Sequence, residues 1–284
     1  MFYLINKPSG ITSSYALRQF LKEHNISKGG HSGTLDPFAT GLLIIGTNED
    51  TKFLSRFLDA KKTYEGKILF GKRTDTLDPD GKIINEDSEV SVSLETLRNE
   101  INTKFLGQIK QVPPEYSAKK INGKRAYELV RENKIVILKP VKKIIYQFDI
   151  FETETRNVFD FKIVASSGTY IRSLARDLGD ELEIPSMLIT LNRTKISNID
   201  LKDAKNLTDP LDEFKVYSPK DLFGVNSLEL SDSLLKLILE GKRTNIGNDK
   251  SIDEELIVHN ALNSISVLVK NVGKNTYHIV KRLK

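Results

Sequence analysis

The 284-residue chain contains no cysteine, which excludes disulfides, thiolate-held iron–sulfur clusters and thiolate nucleophiles. Histidine is scarce: His24, His31, His259 and His278 are the only four, and none is spaced to form a zinc site with a neighbour. Walker, Rossmann and HExxH patterns are missing. No apolar run has the length of a membrane span. The opening Met1-Phe2-Tyr3-Leu4-Ile5-Asn6-Lys7-Pro8 lacks the basic flank, long apolar stretch and cleavage site of a signal peptide. It reads as a short buried strand, and the chain as a cytoplasmic protein with no membrane association. Any chemistry must then rest on carboxylates, tyrosines and cationic side chains.

Hydrophobic residues make up 39%, enough for a substantial core, and the length fits one large domain or two moderate ones. Net charge is +5, but it is unevenly placed. Residues 110–143 hold ten Lys/Arg against three Asp/Glu, and residues 270–284 hold five Lys/Arg and no acid. Residues 200–257 are acidic, with thirteen Asp/Glu against eight Lys/Arg. Two basic segments on a nearly balanced background fit either a footprint for a polyanion or two solvated lysine faces.

Periodicity and turn chemistry predict the elements. Ser13 or Ser14 can cap a helix through about His24. Residues 25–40, rich in Gly, Ser, Thr and Pro, read as a long loop, followed by a buried strand over Gly41–Gly46. A helix fits near 48–58 and a strand over Lys62–Phe70. Asp78-Pro79-Asp80-Gly81 reads as a turn between strands, its acid spacing being wrong for a calcium loop. Ser93 can cap a helix with Leu94, Leu97, Ile101 and Phe105 on one face. Strands fit near 134–151, 158–165 and 187–196, with a helix opened by Gly168-Thr169 between the last two. The fold class is α+β on a largely antiparallel mixed sheet. A boundary falls near 200–220, giving domains 1–215 and 220–284. The second is a small β-rich module, with a helix from Ser231 to Glu240 stopped by Gly241 and strands at 255–259, 264–270 and 276–282.

The stretch His31-Ser32-Gly33-Thr34-Leu35-Asp36-Pro37-Phe38-Ala39-Thr40-Gly41 fixes a lone acid between a leucine and a proline, just before a buried strand. Pro37 restricts Asp36 toward extended geometry, and Gly33 and Gly41 permit close approach of backbone or ligand. Asp36 is then either a turn cap or a functional carboxylate.

This segment resembles the signature of the bacterial tRNA pseudouridine-55 synthases, the TruB family. Four further blocks keep that family's order. They are Lys7-Pro8-Ser9-Gly10-Ile11-Thr12-Ser13, then Lys62-Thr63-Tyr64 with Gly71-Lys72-Arg73-Thr74-Asp75-Thr76, then Gln111-Val112-Pro113-Pro114-Glu115-Tyr116-Ser117-Ala118-Lys119-Lys120 with Gly123 and Arg125-Ala126-Tyr127-Glu128, and last Ser167-Gly168-Thr169-Tyr170-Ile171-Arg172-Ser173-Leu174. Together they cover most of residues 1–200. The resemblance implies a pseudouridine synthase catalytic domain over 1–215, an RNA-clamping insertion at about 110–143, and a PUA-like RNA-binding module over 220–284. It implies an enzyme that breaks the uridine N1–C1′ bond, rotates the base and rejoins it through C5. Such an enzyme needs no cofactor and no metal, works as a monomer, and takes the T stem-loop of tRNA as its partner.

The same resemblance assigns roles. Asp36 is the catalytic carboxylate, attacking C1′ or deprotonating C2′. Arg172, in the first turn of a helix, would pair with Asp36 and favour its charged form; otherwise it is a surface helix arginine. Tyr64 would stack on the uracil and handle a proton at C5, or be an ordinary strand tyrosine. Tyr170 would floor the pocket and Leu191 line it; both could equally be core. His31 would lie against the extruded nucleotide. Lys119, Lys120, Lys124 and Arg125 would contact phosphates. The chain departs from the family at Asn192-Arg193, where two arginines are usual, and at Glu183–Leu188, where the approach usually holds Gly and His. Two competing readings remain at this level: a guide-RNA-dependent synthase with the same fold, disfavoured by the clamp block at 111–128, and a tRNA-folding chaperone, whose activity could accompany catalysis.

Overall fold

The structure is a computed structural model. It describes the chain save residues 118, 122, 133–135, 247–253, 263, 274 and 284, and the side chains of 120, 121, 125, 127 and 131. Its frame is a ten-stranded sheet of β1 (Phe2–Lys7), β2 (Gly29–His31), β3 (Thr40–Thr47), β4 (Lys62–Phe70), β5 (Gly107–Gln111), β6 (Val141–Glu152), β7 (Val158–Ala165), β8 (Ser186–Ile196), β9 (Ile199–Asp200) and β10 (Lys205–Asn206). The main order is β10-β1-β3-β8-β4-β7-β6-β5, with β2 on β3 and β9 on β8. Only β1–β10 and β3–β8 pair in parallel, so the sheet is mixed and largely antiparallel.

The unbroken apolar runs of β1 and β3 have a clear cause. Phe2, Leu4, Leu42 and Ile44 enter one core with Phe53, Phe57 and Ile196. Tyr3, Ile5, Leu43 and Ile45 enter another, beneath α1 (Ser13–Glu23) through Ala16 and Phe20. Both strands are covered on both faces, as near-continuous hydrophobic strands require. The other half of the sheet is covered on one face by α2 (Leu94–Glu100) and α3 (Ile171–Glu181), which bury Leu97, Ile171, Leu174, Ala175 and Leu178 against Ile68, Phe148, Phe161 and Ile163. Its other face carries Lys67–Asp160 and Lys162–Glu65 ion pairs at 2.7 and 3.5 Å. That alternation is why β4 and β7 read as ordinary amphipathic strands.

Several boundaries moved. The cap of α1 is Thr12, whose side chain accepts from the Tyr15 amide, while Ser13 is turned inward. The loop 25–40 contains β2. The expected helix at 48–58 is a 3₁₀ segment, Asn48–Phe53, followed by Ser55–Leu58. Ser93 does cap α2, but the helix widens into a π turn over Ile101–Phe105, keeping Ile101 and Phe105 buried. The strand expected from 134 begins at Val141; residues 134 and 135 lie outside the described residues.

A second, five-stranded sheet follows, of β11 (Asn226–Glu229), β12 (Thr244–Asn245), β13 (Glu255–His259), β14 (Ser266–Gly273) and β15 (Thr276–Arg282). It encloses a core with α4 (Asp232–Leu239), capped by Ser231. The strand β11 and the parallel pair β11–β13 were not anticipated from sequence. No helix among the described residues is long and apolar enough to cross a membrane.

The junction of β3 and β8 is tight. Gly41 has φ +110°, and a Cβ there would lie 2.5 Å from the Arg193 carbonyl oxygen and 2.7 Å from its amide nitrogen. Since backbone cannot yield as a side-chain tip can, Gly41→Ala is expected to destabilise the fold by at least about 1–3 kcal/mol. Urea unfolding measures this; an unchanged midpoint would show that the junction relaxes freely.

Candidate active site

Asp36 sits in the loop entering β3, where its carbonyl accepts from the Ala39 amide at 3.2 Å and closes a turn. Its carboxylate accepts two parallel bonds from Arg172, Nε to Oδ2 and Nη2 to Oδ1, each 2.8 Å. This side-on, two-point contact fixes the plane of the carboxylate as well as its position. The Arg172 side chain is only 4% exposed, whereas Asp36 is 30% exposed. Each Asp36 oxygen retains a free lone pair, so the arginine lies behind a carboxylate that still faces outward.

Arg172 has further partners. Its Nη1 donates to the Thr76 carbonyl at 2.6 Å and lies 3.1 Å from Asp78 Oδ2. Its Nη2 also donates to the Tyr116 carbonyl at 3.0 Å. Two carboxylates from different loops therefore share one buried guanidinium. Burial pushes the Asp78 carboxyl above its ordinary range, while the Thr76 hydroxyl and Arg172 pull it down. Asp78 was read only as a turn residue. The missed signal is local: Thr74 and Thr76 both donate to it or its backbone, building a polar knot that a solvent turn would not need.

The N-terminal block supports the Asp36 loop from beneath. Ser13 Oγ accepts from the Leu35 amide at 2.8 Å and donates to its carbonyl at 3.2 Å. The Gly10 amide donates to the Pro37 carbonyl at 2.9 Å, and Ser9 Oγ to that of Phe38 at 2.8 Å. Lys7 is fully buried, its ammonium donating to the carbonyls of Pro8, Ile11 and Pro37 at 2.7, 2.8 and 3.3 Å. Burial lowers its pKa to about 8, with the Asp36 charge acting the other way. The spacing between the two blocks thus reflects one assembly, a loop whose backbone groups are satisfied by residues 7–13.

Tyr64 and Leu191 project from neighbouring strands β4 and β8 into the core that also holds Leu35, Phe38 and Ala39, which brings both beside the Asp36 loop. The Tyr64 hydroxyl faces the guanidinium of Arg193, which is completely buried and donates to the carbonyls of Leu42 and Gly33 at 2.9 and 3.1 Å. Asn192-Arg193 therefore keeps the arginine whose side chain braces this loop. His31 lies on β2 opposite Ile45, its Nδ1 accepting from the Gly33 amide at 3.3 Å, and burial lowers its pKa. Tyr170 precedes α3; the Gln111 side chain grips its amide and carbonyl at 2.9 and 3.0 Å, and burial raises its phenol.

The proposed clamp is rooted in α3. Ser173 and Arg176 both donate to the Val112 carbonyl at 2.9 Å, alongside the Gln111 and Tyr116 contacts. Its cations are not gathered at Asp36. Lys119 reaches the Lys139 carbonyl at 3.5 Å, and Lys124 pairs with Glu132 at 3.2 Å. Lys120 and Arg125 face each other across a two-strand ladder, and their side chains lie outside the described residues. Among the described residues no group of three or more His, Asp or Glu side chains could hold a metal ion.

The fold is that of the pseudouridine synthases. It superposes on a chain of the crystal structure of a Cbf5-Nop10-Gar1 complex with a TM-score of 0.64 at 20% identity, covering 100% of this chain and 84% of that one. Residues 18–171 match the family described as TruB family pseudouridylate synthase, N-terminal domain. Among curated relatives, the tRNA pseudouridine synthase B of Mycoplasma mobile is 37% identical over 99% of this chain and 97% of its own length. The enzyme of that name from Aquifex aeolicus is 41% identical over 86% and 87%. The chain belongs to the TruB family of pseudouridylate synthases.

The buried lysines give a pH signature. Burial holds both Lys7 and Lys62 at about 8 against an ordinary 10.5. Between those values the unfolded chain binds more protons at these sites than the folded chain, so their contribution to stability rises with pH across the window and is flat below it. Tyr3 and Tyr170, raised by burial, oppose this only as unfolded phenols ionise near pH 10. The urea midpoint is expected to rise from pH 8 to about 9.5, and less steeply in Lys7→Met. A wild-type midpoint that falls over this range would contradict the lysine assignment.

Proposed function

We propose that this protein converts a uridine in the T loop of tRNA, position 55, to pseudouridine, with Asp36 as the catalytic carboxylate. The observation that carries this reading is the two-point Asp36–Arg172 contact, which presents an oriented carboxylate on the open side of a buried cation. Family membership supplies the reaction class, and the names of the relatives supply tRNA as the substrate.

In this reading the target nucleotide leaves the loop stack, at a cost of a few kcal/mol, and its sugar meets Asp36. The N1–C1′ bond breaks as Asp36 either adds to C1′ or takes the C2′ proton. The uracil turns and C5 bonds to C1′ as the Asp36–C1′ bond breaks or, by the second route, as Asp36 returns the proton to C2′; the C5 proton is lost while N1 gains one, so product and substrate are isomers. Tyr64 stacks on the ring and assists the C5 proton transfer. Tyr170 and Leu191 bound the pocket, and His31 lies against the displaced nucleotide. Lys119, Lys120, Lys124 and Arg125 meet phosphates once the clamp closes on the stem-loop. The module spanning residues 220–284 acts as a PUA-like RNA-binding unit. Its basic end at 270–284 supports that role.

Asp36→Asn tests the central assignment. Asparagine preserves size and turn capping, and Asp78 still neutralises Arg172, so folding and tRNA affinity should stay near wild type. It cannot form the sugar adduct or accept the proton. Turnover is expected to fall by a hundredfold or more, corresponding to roughly 2.7 kcal/mol or more of lost transition-state stabilisation. The measurement is single-turnover tritium release from C5-labelled uridine with parallel filter binding. Activity within about threefold of wild type, under about 1 kcal/mol, would sink the assignment and favour a tRNA-folding role that needs no carboxylate chemistry.

A further inference from the structure

Two arginines lie buried beneath the cleft, and they are partnered differently. Arg172 faces the carboxylates of Asp36 and Asp78. Arg193 is 1% exposed, and among the described residues no carboxylate stands at ion-pair distance from it. Burial works against its charge, and the group that favours the charge is the Tyr64 hydroxyl, by proximity and by hydrogen bond. That charge is felt around it: in Lys7, His31 and Lys62 burial depresses the pKa, and Arg193 depresses it further. A buried guanidinium without a counter-anion is costly, so its place under the cleft calls for a reason.

Part of that reason is structural. Arg193 on β8 pairs with Gly41 of β3 on one side and with Tyr64 of β4 on the other. Its Nε donates to the Leu42 carbonyl at 2.9 Å and its Nη2 to the Gly33 carbonyl at 3.1 Å, which ties β8 to both flanks of the Asp36 loop. A guanidinium has donors beyond these two. Direct cross-strand partners point to the same face of a sheet, so Arg193 and Tyr64 stand side by side. Leu191, two residues along β8, joins Tyr64 in the core beside the Asp36 loop. The guanidinium is held at two points by backbone and turned toward the phenol oxygen.

The other part is chemical. Once C5 has bonded to C1′, it still carries its hydrogen. The Tyr64 oxygen can take that proton only as a phenolate, which becomes phenol. The C5–H electron pair closes the C5–C6 double bond, the C6–N1 double-bond pair moves onto N1, and N1 takes a proton from water. The phenol returns its proton to water, so the enzyme ends as it began. A phenolate on a side chain as buried as Tyr64, 9% exposed, needs a cation beside it. Arg193 is the cation that faces that oxygen.

We propose that Arg193 is a positioning residue for the C5 proton transfer: its guanidinium, fixed by the Leu42 and Gly33 carbonyls, orients the Tyr64 oxygen and supplies the counter-charge for its phenolate. This rests on the pseudouridine synthase reading and on Tyr64 as the group that takes the C5 proton. Arg172 serves the sugar side of the reaction through Asp36, and Arg193 serves the base side through Tyr64.

The test is single-turnover pseudouridine formation in full-length unmodified tRNA, with filter binding to the same tRNA. Variants are Arg193→Lys, Arg193→Gln, Tyr64→Phe and the double change of Tyr64→Phe with Arg193→Lys. Arg193→Lys is expected to slow the reaction about tenfold and Arg193→Gln about a hundredfold, with tRNA affinity kept. In the Tyr64→Phe background Arg193→Lys should add less than about threefold, because groups that act as a unit are not additive. With uridine deuterated at C5, Arg193→Lys should show a larger primary isotope effect than the wild type. With 5-fluorouridine at the target position there is no C5 proton to remove, and the C5-linked product should form in Arg193→Lys within about twofold of the wild-type rate. A residue that merely braces the Leu42 and Gly33 carbonyls would slow both substrates alike, add in full to Tyr64→Phe and leave the isotope effect unchanged. Those outcomes overturn the proposal while the enzymatic reading stands. Urea midpoints report folding. Should both Arg193 variants fail to fold, the wild-type chain made with 3-fluorotyrosine, whose phenolate is a weaker base, decides the matter. Slower conversion of uridine with a larger C5 isotope effect supports the pair, and an unchanged isotope effect overturns it. A wild-type protein that makes no pseudouridine overturns the enzymatic reading, and this proposal with it.

Discussion

The guanidinium of Arg172 is almost wholly withdrawn from water and must find its partners inside the protein. It takes them from three loops: Asp36 before β3, Thr76 and Asp78 after β4, and Tyr116 at the clamp root. A buried charge left without a partner costs about 3–5 kcal/mol, so these loops cannot drift from the first turn of α3 independently. That constraint converts a stability requirement into alignment. Asp36 is held where a second, deeper carboxylate keeps the arginine satisfied. The outer acid can therefore engage a substrate without stripping the cation of its last counter-charge.

The floor of the loop follows the same economy of polar groups. Backbone carbonyls and amides of residues 35–38 are met by Ser13, Gly10, Ser9 and Lys7, so a glycine- and proline-containing segment has few ways to rearrange. Lys7, Lys62 and Arg193 all pay a desolvation cost, and none faces a carboxylate at ion-pair distance among the described residues. Charges of one sign gathered under and beside a cleft raise its potential toward anions. The fold thus sets a modest loss of stability against attraction for a polyanionic substrate.

Much of this was legible in the sequence, and the limits are physical. The strands Lys62–Phe70 and Val158–Ala165 were read correctly because alternation is strong where one face is solvated. Asp36, Arg172 and the order of the blocks were legible through the family resemblance, and the geometry then brought the two residues into contact. Asp78 was not, because a Thr-Asp-rich segment reads the same whether it caps a turn or counters a distant arginine. Lys7 was read as part of a motif without a role, since a lysine ending an apolar strand looks exposed until its three carbonyl acceptors are known. The π turn at Ile101–Phe105 preserves the burial that the helical period predicted, so periodicity could not reveal it. The cap of α1 shifted to Thr12 because Ser13 was already committed to Leu35, a contact twenty-two residues away.

The C-terminal sheet raises a different question, whether it is an appendage or part of the frame. Its Leu268, with Val225 and Leu283, joins the core of Phe2, Leu4, Leu42 and Ile44. Arg56 is flanked by the rings of Phe53 and Phe223, with its guanidinium carbon 5.5 and 5.3 Å from their centres, and pairs with Glu255 on β13. Lys52 donates to the carbonyls of Arg282 and Leu283, while Lys281 donates back to the Lys52 carbonyl at 3.2 Å. Removing this sheet would uncover apolar surface beneath β1 and β3, at roughly 25 cal/mol for each Å² returned to water. Because β3 is also the strand into which the Asp36 loop feeds, a truncated chain that lost activity would not distinguish a weakened core from a lost RNA contact. The contribution of the C-terminal sheet to RNA affinity is therefore better separated by changing its exposed cations one at a time, which leaves the apolar seam, Arg56 and the path from β1 through β3 to Asp36 in place.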